Sequence, residues 1–292
     1  MARREAGDHV AIVIPAKNEA GTVGRVVTAA RRHWKMVLVV DDGSSDATAS
    51  LAAGAGARVV RHKASIGYGG ALRTGVAEAI SSGAELVVFL DADGAHDPDE
   101  SPGLVEQHRA SGADLTIGSR FHAGLGTWFP TEKRDANLLG RLIFNAAHDA
   151  TVGDVASGFR VLGPKLLRRG ITNASFGAAF ELLAYAVSAG LTISEAPISV
   201  RYDAAEPFCT GRGELSNFLA VCARNATAVL GLGLSAMSQE VEAARSHEVS
   251  ISQERFHLHY LLEYDGYLIQ RQHPWFADGM ADEHAIVLTA AA

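Results

Sequence analysis

An apolar run in the stretch Val87–Glu100, "VVFLDADGAHDPDE", breaks off into carboxylates: Asp91, Asp93, Asp97, Asp99 and Glu100 fall within ten residues. Like charges packed this closely raise one another's energy unless something positive sits among them. The cluster is therefore either solvated at a loop or arranged around a cation. Asp97 and Asp99 fit the first alternative, because "DPDE" reads as a helix start. Asp91 and Asp93 stand one residue apart at the end of a strand-like run. Alternate residues of an extended chain point the same way, so both carboxylates can face one site. Hard oxygen donors of this kind suit Mg2+ or Mn2+.

Two more strand-like runs end in chemically suggestive groups. "VAIVI" (Val10–Ile14) runs into "PAKNEA", and "MVLVV" (Met36–Val40) runs into "DDGSSD", with Asp41, Asp42 and Asp46. Ligands of open parallel sheets gather outside the carboxyl ends of the strands. Three such ends weigh more than one acidic loop. Asp46 suits a helix cap.

The elements that must position these groups alternate in kind. Val23, Val26, Val27 and Ala30 have the i, i+3, i+4, i+7 spacing of a helix. "ARVV" is a short strand, and "GYGGALRTGVAEAI" opens on glycines and continues as a helix. "ELVVFL" (Glu85–Leu90) is continuously apolar, as a strand covered on both faces should be. A helix near Pro98–Ser111 and a strand at "ADLTIGS" follow. Farther on, "FHAGLGTWFPTEKRDAN" reads as a loop, Leu138–Ala147 as a helix, "SGFRVL" as extended and Phe180–Ala189 as a helix. "LTISEAPISVRY" alternates and contains a proline that suits an edge strand. This βαβ alternation predicts an α/β fold: a doubly wound, mostly parallel sheet with helices on both faces.

The chain has 292 residues, a net charge of −7 and two cysteines, Cys209 and Cys222. Neither a disulfide framework nor a Cys-x-x-Cys metal site is indicated, and a reducing, cytoplasmic setting is the expectation. No basic stripe suggests nucleic acid. Phe218–Met237 has the length to span a bilayer, but Arg224 and Asn225 interrupt it, so a packed or surface-lying helix with at most peripheral membrane contact is expected. Residues 238–292 carry nine acidic side chains against three arginines, yet are aromatic and apolar around "RFHLHYLLEYDGYLIQ". We therefore expect a main domain over residues 8–237 and an appended packing element over 238–292. That element would pack on the catalytic body or on a second copy of the chain. Its histidines, His257 and His259 among them, are expected to lie on its surface.

Taken in order, "IVIPAKNEAGTV", "VVDDGSSDAT", "GYGGALRTG", "FLDADGAHDP", "IGSRF", "DVASGFRVL" and "ISVRY" resemble the motifs of the family 2 glycosyltransferases, which have the GT-A fold. Within that family they look most like the dolichyl- or polyprenyl-phosphate mannose and glucose synthases. The resemblance covers Val10 to Tyr202. It implies that Asp91 and Asp93 are a DXD motif, holding Mg2+ or Mn2+ against the diphosphate of a GDP- or UDP-linked sugar. It also implies a nucleotide-sugar site formed by Pro15, Ala16, Glu19, Asp41, Asp42, Arg73, Asp91 and Ala92, with Glu19 on the ribose. Arg120, Arg160 and Arg201 match positions where the family gathers positive charge near phosphates. Asp154 and Glu181 match acidic positions near the acceptor.

The chain departs from the polyprenyl-phosphate enzymes after "VRY". Their short basic loop is replaced by "DAAEPFCTGRGELSNF", with Arg212 the nearby cation, and a convincing pair of hydrophobic C-terminal helices is missing. A soluble small-molecule acceptor therefore competes with a lipid phosphate. The expected reaction is inverting and metal-dependent. A phosphate acceptor needs no strong base; a hydroxyl acceptor needs one, Asp154 first and Glu181 second. Two other classes stay open on the residues alone. A nucleotidyltransferase would show a glycine-rich basic loop where this chain has "PAKNEA". A non-catalytic nucleotide-sugar-binding or assembly protein would have no need of both Asp91 and Asp93.

Overall fold

The computed structural model describes residues 9–121, 137, 140–141, 144–145, 148–174 and 177–201, together with the backbone of five strands between residues 249 and 290. Phe218–Met237, the segment after "VRY" and most of the loop from Phe121 to Asn137 lie outside the described residues. The chain divides into two compact units, residues 1–225 and 226–292. The boundary expected after Met237 falls inside the second.

The first unit is built on seven strands: β1 (Val10–Ala16), β2 (Met36–Asp41), β3 (Arg58–Arg61), β4 (Leu86–Phe89), β5 (Leu115–Ser119), β6 (Arg160–Leu162) and β7 (Ile193–Pro197). They lie in the order β3-β2-β1-β4-β6-β5-β7. Six run parallel, and β6 runs against both of its neighbours, β4 and β5. β7 is an edge strand ending in Pro197, as its proline suggested. The helices are α1 (Val23–Arg31), α2 (Thr48–Gly54), α3 (Tyr68–Ser81), α4 (Ser101–Ser111), α5 (Pro164–Arg169) and α6 (Gly177–Ser188). Within the stretch read as a helix at Leu138–Ala147, the described residues Gly140, Arg141, Phe144 and Asn145 are helical.

Both faces of the sheet are covered, which explains the unbroken apolar runs. Along β1, Ala11 and Val13 point into a core shared with Leu72 and Val76 of α3 and Leu182 and Leu183 of α6. Val10, Ile12 and Ile14 point the other way, against Val23, Val26 and Val27 of α1 and Leu104 and Val105 of α4. Gly75 lets α3 lie close on β1: an added Cβ would fall inside contact distance of Val13 Cγ1 and 3.3 Å from Val40 Cγ2.

The chain leaves β1 toward β2 on one side and places β4 on the other. This reversal opens a crevice at the carboxyl ends of β1 and β4, the position where such sheets bind ligands. Register brings Val13 beside Phe89. Pro15, Ala16 and Asp91 thus emerge on the same edge.

In the second unit, five strands form an open sheet: β8 (Val249–Ile251), β9 (Phe256–Leu258), β10 (Leu262–Tyr264), β11 (Tyr267–Ile269) and β12 (His284–Ala290). The order is β10-β11-β12-β8, and β9 pairs in parallel with β12. Tyr264 faces Tyr267 across an antiparallel pair whose two connecting residues, Asp265 and Gly266, suit a tight hairpin.

Candidate active site

Three carboxylates of the acidic cluster are engaged locally. Asp97 accepts the Asp99 N–H at 3.0 Å and caps the single 3-10 turn Pro98–Glu100. Asp99 meets Arg32 at 2.9 Å and His33 at 2.8 Å. Glu100 accepts the Ser199 N–H at 2.9 Å and so ties the turn to the chain beyond β7. Asp91 and Asp93 are different. Neither is ion-paired with a lysine or arginine among the described residues. Asp93 accepts the Ala95 N–H at 2.9 Å, and Asp91 accepts the Tyr68 hydroxyl at 3.1 Å. Burial and the neighbouring charge of Asp93 push the Asp91 carboxyl up to about 7.

Around Asp91 the chain leaves little room. Gly158 faces Oδ2 where a Cβ would collide with it. His96 is 5% exposed, and its Nδ1 lies 3.8 Å from Asp91 Oδ2. Neither ring nitrogen of His96 has a hydrogen-bond partner among the described residues, and the ring packs against Phe159 with centroids 5.5 Å apart. Burial lowers the imidazole to about 3, so His96 is neutral and supplies no counter-charge. Ala92, between the two aspartates, is buried.

The edge formed by β1 and β2 is laced by short polar bonds. The Asn18 N–H donates to Ser44 Oγ at 2.9 Å, Glu19 N–H to Thr48 Oγ1 at 2.8 Å, and Ala20 N–H to Asp46 Oδ2 at 3.1 Å. Asp46 also accepts the Thr48 N–H at 3.0 Å just before α2, whose N-cap position is taken by Ala47 and not, as expected, by Asp46. Asn18 takes φ 58, and its side chain accepts the Ser45 N–H at 2.9 Å. Pro15 and Ala16 are buried at the end of β1. Glu19 is half-buried, accepts the Thr22 hydroxyl at 2.9 Å, and its charge reaches Asp91.

Asp41 and Asp42 are both buried and face their own chain. Asp41 accepts the Ser44 N–H at 2.9 Å, and Arg61 Nε lies 2.9 Å from its other oxygen without hydrogen-bond alignment. Asp42 accepts four bonds: His62 at 2.7 Å, Ser65 Oγ at 2.6 Å, and the N–H groups of Ile66 and Gly67 at 2.9 Å each. Burial alone would raise its pKa, but these donors outweigh it and leave the value lowered. His62 continues to Thr74 Oγ1 at 3.0 Å, so Asp42 fastens the segment from His62 to Gly67 onto α3. Arg73 is exposed on α3.

The arginines separate in the same way. Arg160 is 1% exposed and donates to the carbonyls of Ser157 (2.7 Å), Ala179 (2.5 Å) and Val155 (2.8 Å). Burial lowers it to about 10. Its bonds hold backbone, and its guanidinium does not stand open to a phosphate. Arg120 grips Asp154 with Nε and Nη2 at 2.7 Å each, and its own N–H adds a third bond at 3.0 Å. Asp154 also accepts from Ala156 and Ser157, and Glu195 of β7 holds the Gly153 and Asp154 N–H groups at 2.9 Å. Burial raises the Asp154 carboxyl, but Arg120 more than offsets this, leaving it lowered. Glu181 accepts the Asn173 N–H at 2.8 Å and the Thr172 hydroxyl, with Arg169 at 3.5 Å. Arg201 differs from these: its side chain is 78% exposed beside Asp97 at 3.3 Å, and its N–H reaches Ala95 O at 2.8 Å, next to the aspartate pair.

Sequence reading passed over Tyr68, His96, His62, Gly158 and Glu195. Tyr68, His96, Gly158 and Glu195 stood inside quoted stretches, "GYGG", "GAHD", "SGFR" and "SEAP", but the partners of Tyr68, Gly158 and Glu195 are remote in sequence. One signal was available: a histidine within an acidic loop is an unusual neighbour for carboxylates.

Residues 11–175 match the glycosyl transferase family 2 profile. An uncharacterised protein of Methanocaldococcus jannaschii is 30% identical over 200 residues, 67% of this chain and 82% of that protein. The undecaprenyl-phosphate mannosyltransferase of Micrococcus luteus is 31% identical over 205 residues, 65% of this chain and 82% of its own. Among solved structures, the UDP complex of glucosyl-3-phosphoglycerate synthase from Mycobacterium tuberculosis superposes with a TM-score of 0.58 at 25% identity, covering 75% of this chain and 81% of that one. The seven-stranded sheet is therefore a GT-A sheet, and the nucleotidyltransferase and non-catalytic readings give way. This chain belongs to glycosyl transferase family 2, whose enzymes transfer a sugar from a nucleotide sugar.

Proposed function

We propose that the protein transfers a hexosyl group, with inversion, from a GDP- or UDP-linked sugar to an acceptor whose attacking oxygen is already an ionised phosphate, with Mg2+ or Mn2+ held at Asp91 and Asp93. The observation that carries this reading is Asp91 itself. It stands at the crevice where the strand order reverses, its carboxyl pushed up to about 7 by burial and by Asp93, with the His96 ring 3.8 Å away and no lysine or arginine ion-paired to it among the described residues. A cation is what such a pair lacks. Among the described residues no three metal-ligating side chains converge. Two carboxylates alone fit Mg2+ or Mn2+ that complete their shell with water and diphosphate oxygens. Bound there, the ion would offset the charge developing on the departing diphosphate.

The chain's own residues supply the rest. Pro15, Ala16 and Ala92 form the floor of the donor site, and Glu19 takes the ribose. Asp41 and Asp42 act by fixing the walls, since their oxygens already serve the Ser44 turn and the His62–Gly67 segment. Arg73 and Arg201 project outward to meet phosphate charge. Arg120, Asp154 and Arg160 form the buried frame beneath.

The acceptor assignment follows from what a base would need. Asp154 is clamped by Arg120 with a lowered pKa, and Glu181 is occupied by the Thr172–Asn173 backbone. A phosphate oxygen attacks without either. The relative named for undecaprenyl phosphate supports a polyprenyl phosphate acceptor, met by peripheral contact at the cytoplasmic membrane face. A soluble phosphorylated acceptor is the second reading, favoured by the glucosyl-3-phosphoglycerate synthase likeness. The test offers UDP- and GDP-hexoses with Mn2+ to undecaprenyl phosphate in micelles and, separately, to phosphoglyceric acid. The first reading expects diphosphate release and an inverted sugar phosphodiester only with the lipid. Turnover with phosphoglyceric acid alone would replace it with the second.

A further inference from the structure

Tyr68 opens α3, immediately after the segment that Asp42 anchors, and its hydroxyl reaches across to Asp91 Oδ1 at 3.1 Å. The two residues are 23 positions apart in sequence. The preceding residue, Gly67, has φ 91 and gives its N–H to Asp42 Oδ2 at 2.9 Å. A continuous path therefore runs from Asp42 through the Gly67 peptide to the Tyr68 ring and on to Asp91. On its other side, Asp91 Oδ2 faces Gly158, where an added Cβ would fall inside contact distance of it, and lies 3.8 Å from His96 Nδ1. A carboxylate in this position has one oxygen tethered and the other bounded by Gly158 and His96, while 28% of its side chain stays open to a ligand. Its rotation is set before any ligand arrives.

We propose that Tyr68 is a positioning residue: its hydroxyl presets the Asp91 carboxylate for a divalent cation and ties that carboxylate to the Asp42-anchored segment of the donor site. Nothing is transferred through the tyrosine. Its O–H donates to one carboxylate oxygen, and the other lone pairs of Asp91 stay available. Hydrogen bonds of this kind orient metal ligands, and their loss typically weakens metal binding about 10–100-fold.

This inference rests on the metal reading of Asp91 and Asp93, so the experiment separates the two. Mn2+ alone is titrated into the full chain, and free Mn2+ is followed by its electron paramagnetic resonance signal, with thermal melting recorded on the same samples. Tyr68→Phe keeps the ring and removes only the hydroxyl. The expected result is Mn2+ affinity weaker by about 10–100-fold with a melting temperature close to that of the unmodified chain. Gly158→Ala disturbs the same carboxylate from the opposite side and should weaken Mn2+ binding as well; it carries the test if Tyr68→Phe does not fold. Unchanged Mn2+ affinity in a folded Tyr68→Phe protein, with Asp93→Ala abolishing binding, would overturn the positioning role and leave the metal site standing. Failure of the unmodified chain to bind Mn2+ would overturn both.

Discussion

Five carboxylates crowd the end of β4, and their fates differ because of what each can reach. Asp97, Asp99 and Glu100 find a helix start, Arg32 with His33, and a backbone N–H; among the described residues Asp91 and Asp93 have no lysine or arginine ion pair, and Asp91 has only the His96 ring at 3.8 Å. Asp93→Ala is therefore expected to lower nucleoside diphosphate release by at least about a hundredfold, since a metal on a leaving group contributes several kcal/mol, while circular dichroism stays unchanged. Asp42 makes a different claim. Its lowered pKa means that its contribution to stability is fully present above the ordinary carboxylate value of 3.8 and is lost as pH falls through the lower folded value. Asp42→Asn should cost about 1–3 kcal/mol in urea melts at pH 7, and the gap to the unmodified chain should close as the pH drops below 3.8. Equal gaps at pH 7 and pH 3 would show that Asp42 does not anchor the segment by charge. Asp91 and Asp93 were legible in the sequence because a strand end and an alternate spacing are local facts. Tyr68 and His96 were not, because each acquires its meaning from a packing contact with Asp91 or Phe159. Arg160 looked like a phosphate ligand in "SGFR" because sequence shows the guanidinium but not the three carbonyls around it.

At the scale of elements, the i, i+3, i+4, i+7 spacing marked α1, and unbroken apolar runs marked β1, β2 and β4 as strands covered on both faces. Direction was not readable. β6 has three residues and runs against β4 and β5, and nothing in Arg160–Leu162 distinguishes that from a parallel strand. The strands of the second unit are mostly three residues long and too short to show a period of two. The contact between α3 and β1 gives a direct test. Gly75→Ala gains about 1 kcal/mol of helix propensity, but the new methyl lands on Val13, which is fully buried and cannot yield. Overpacking of this kind costs about 1–3 kcal/mol, so the variant should unfold at lower denaturant. A raised midpoint would mean that α3 stands farther from the sheet.

For the whole molecule, charge is concentrated at one end: residues 238–292 carry −6 of the net −7. No helix among the described residues is long and apolar enough to cross a membrane. In Phe218–Met237, outside those residues, Arg224 would cost about 2.5–3.5 kcal/mol near a bilayer centre. Fractionation without detergent should therefore leave the protein unbound or release it with high salt; extraction by detergent alone would contradict this. Residues beyond Ser238 include Phe256, Leu258, Tyr260, Leu261, Tyr264 and Tyr267. Burying such side chains yields roughly 1.5–3 kcal/mol each, so limited proteolysis should leave this unit intact longer than a solvated tail. The central claim is metal-assisted sugar transfer at the Asp91–Asp93 pair. Its most direct measurement is nucleoside diphosphate release from UDP- and GDP-hexoses with undecaprenyl phosphate, in Mn2+ and in excess chelator, by the unmodified chain and by Asp93→Ala. Release that requires Mn2+ and disappears in the folded variant is the result predicted; release that survives chelation, or that Asp93→Ala retains, would contradict it.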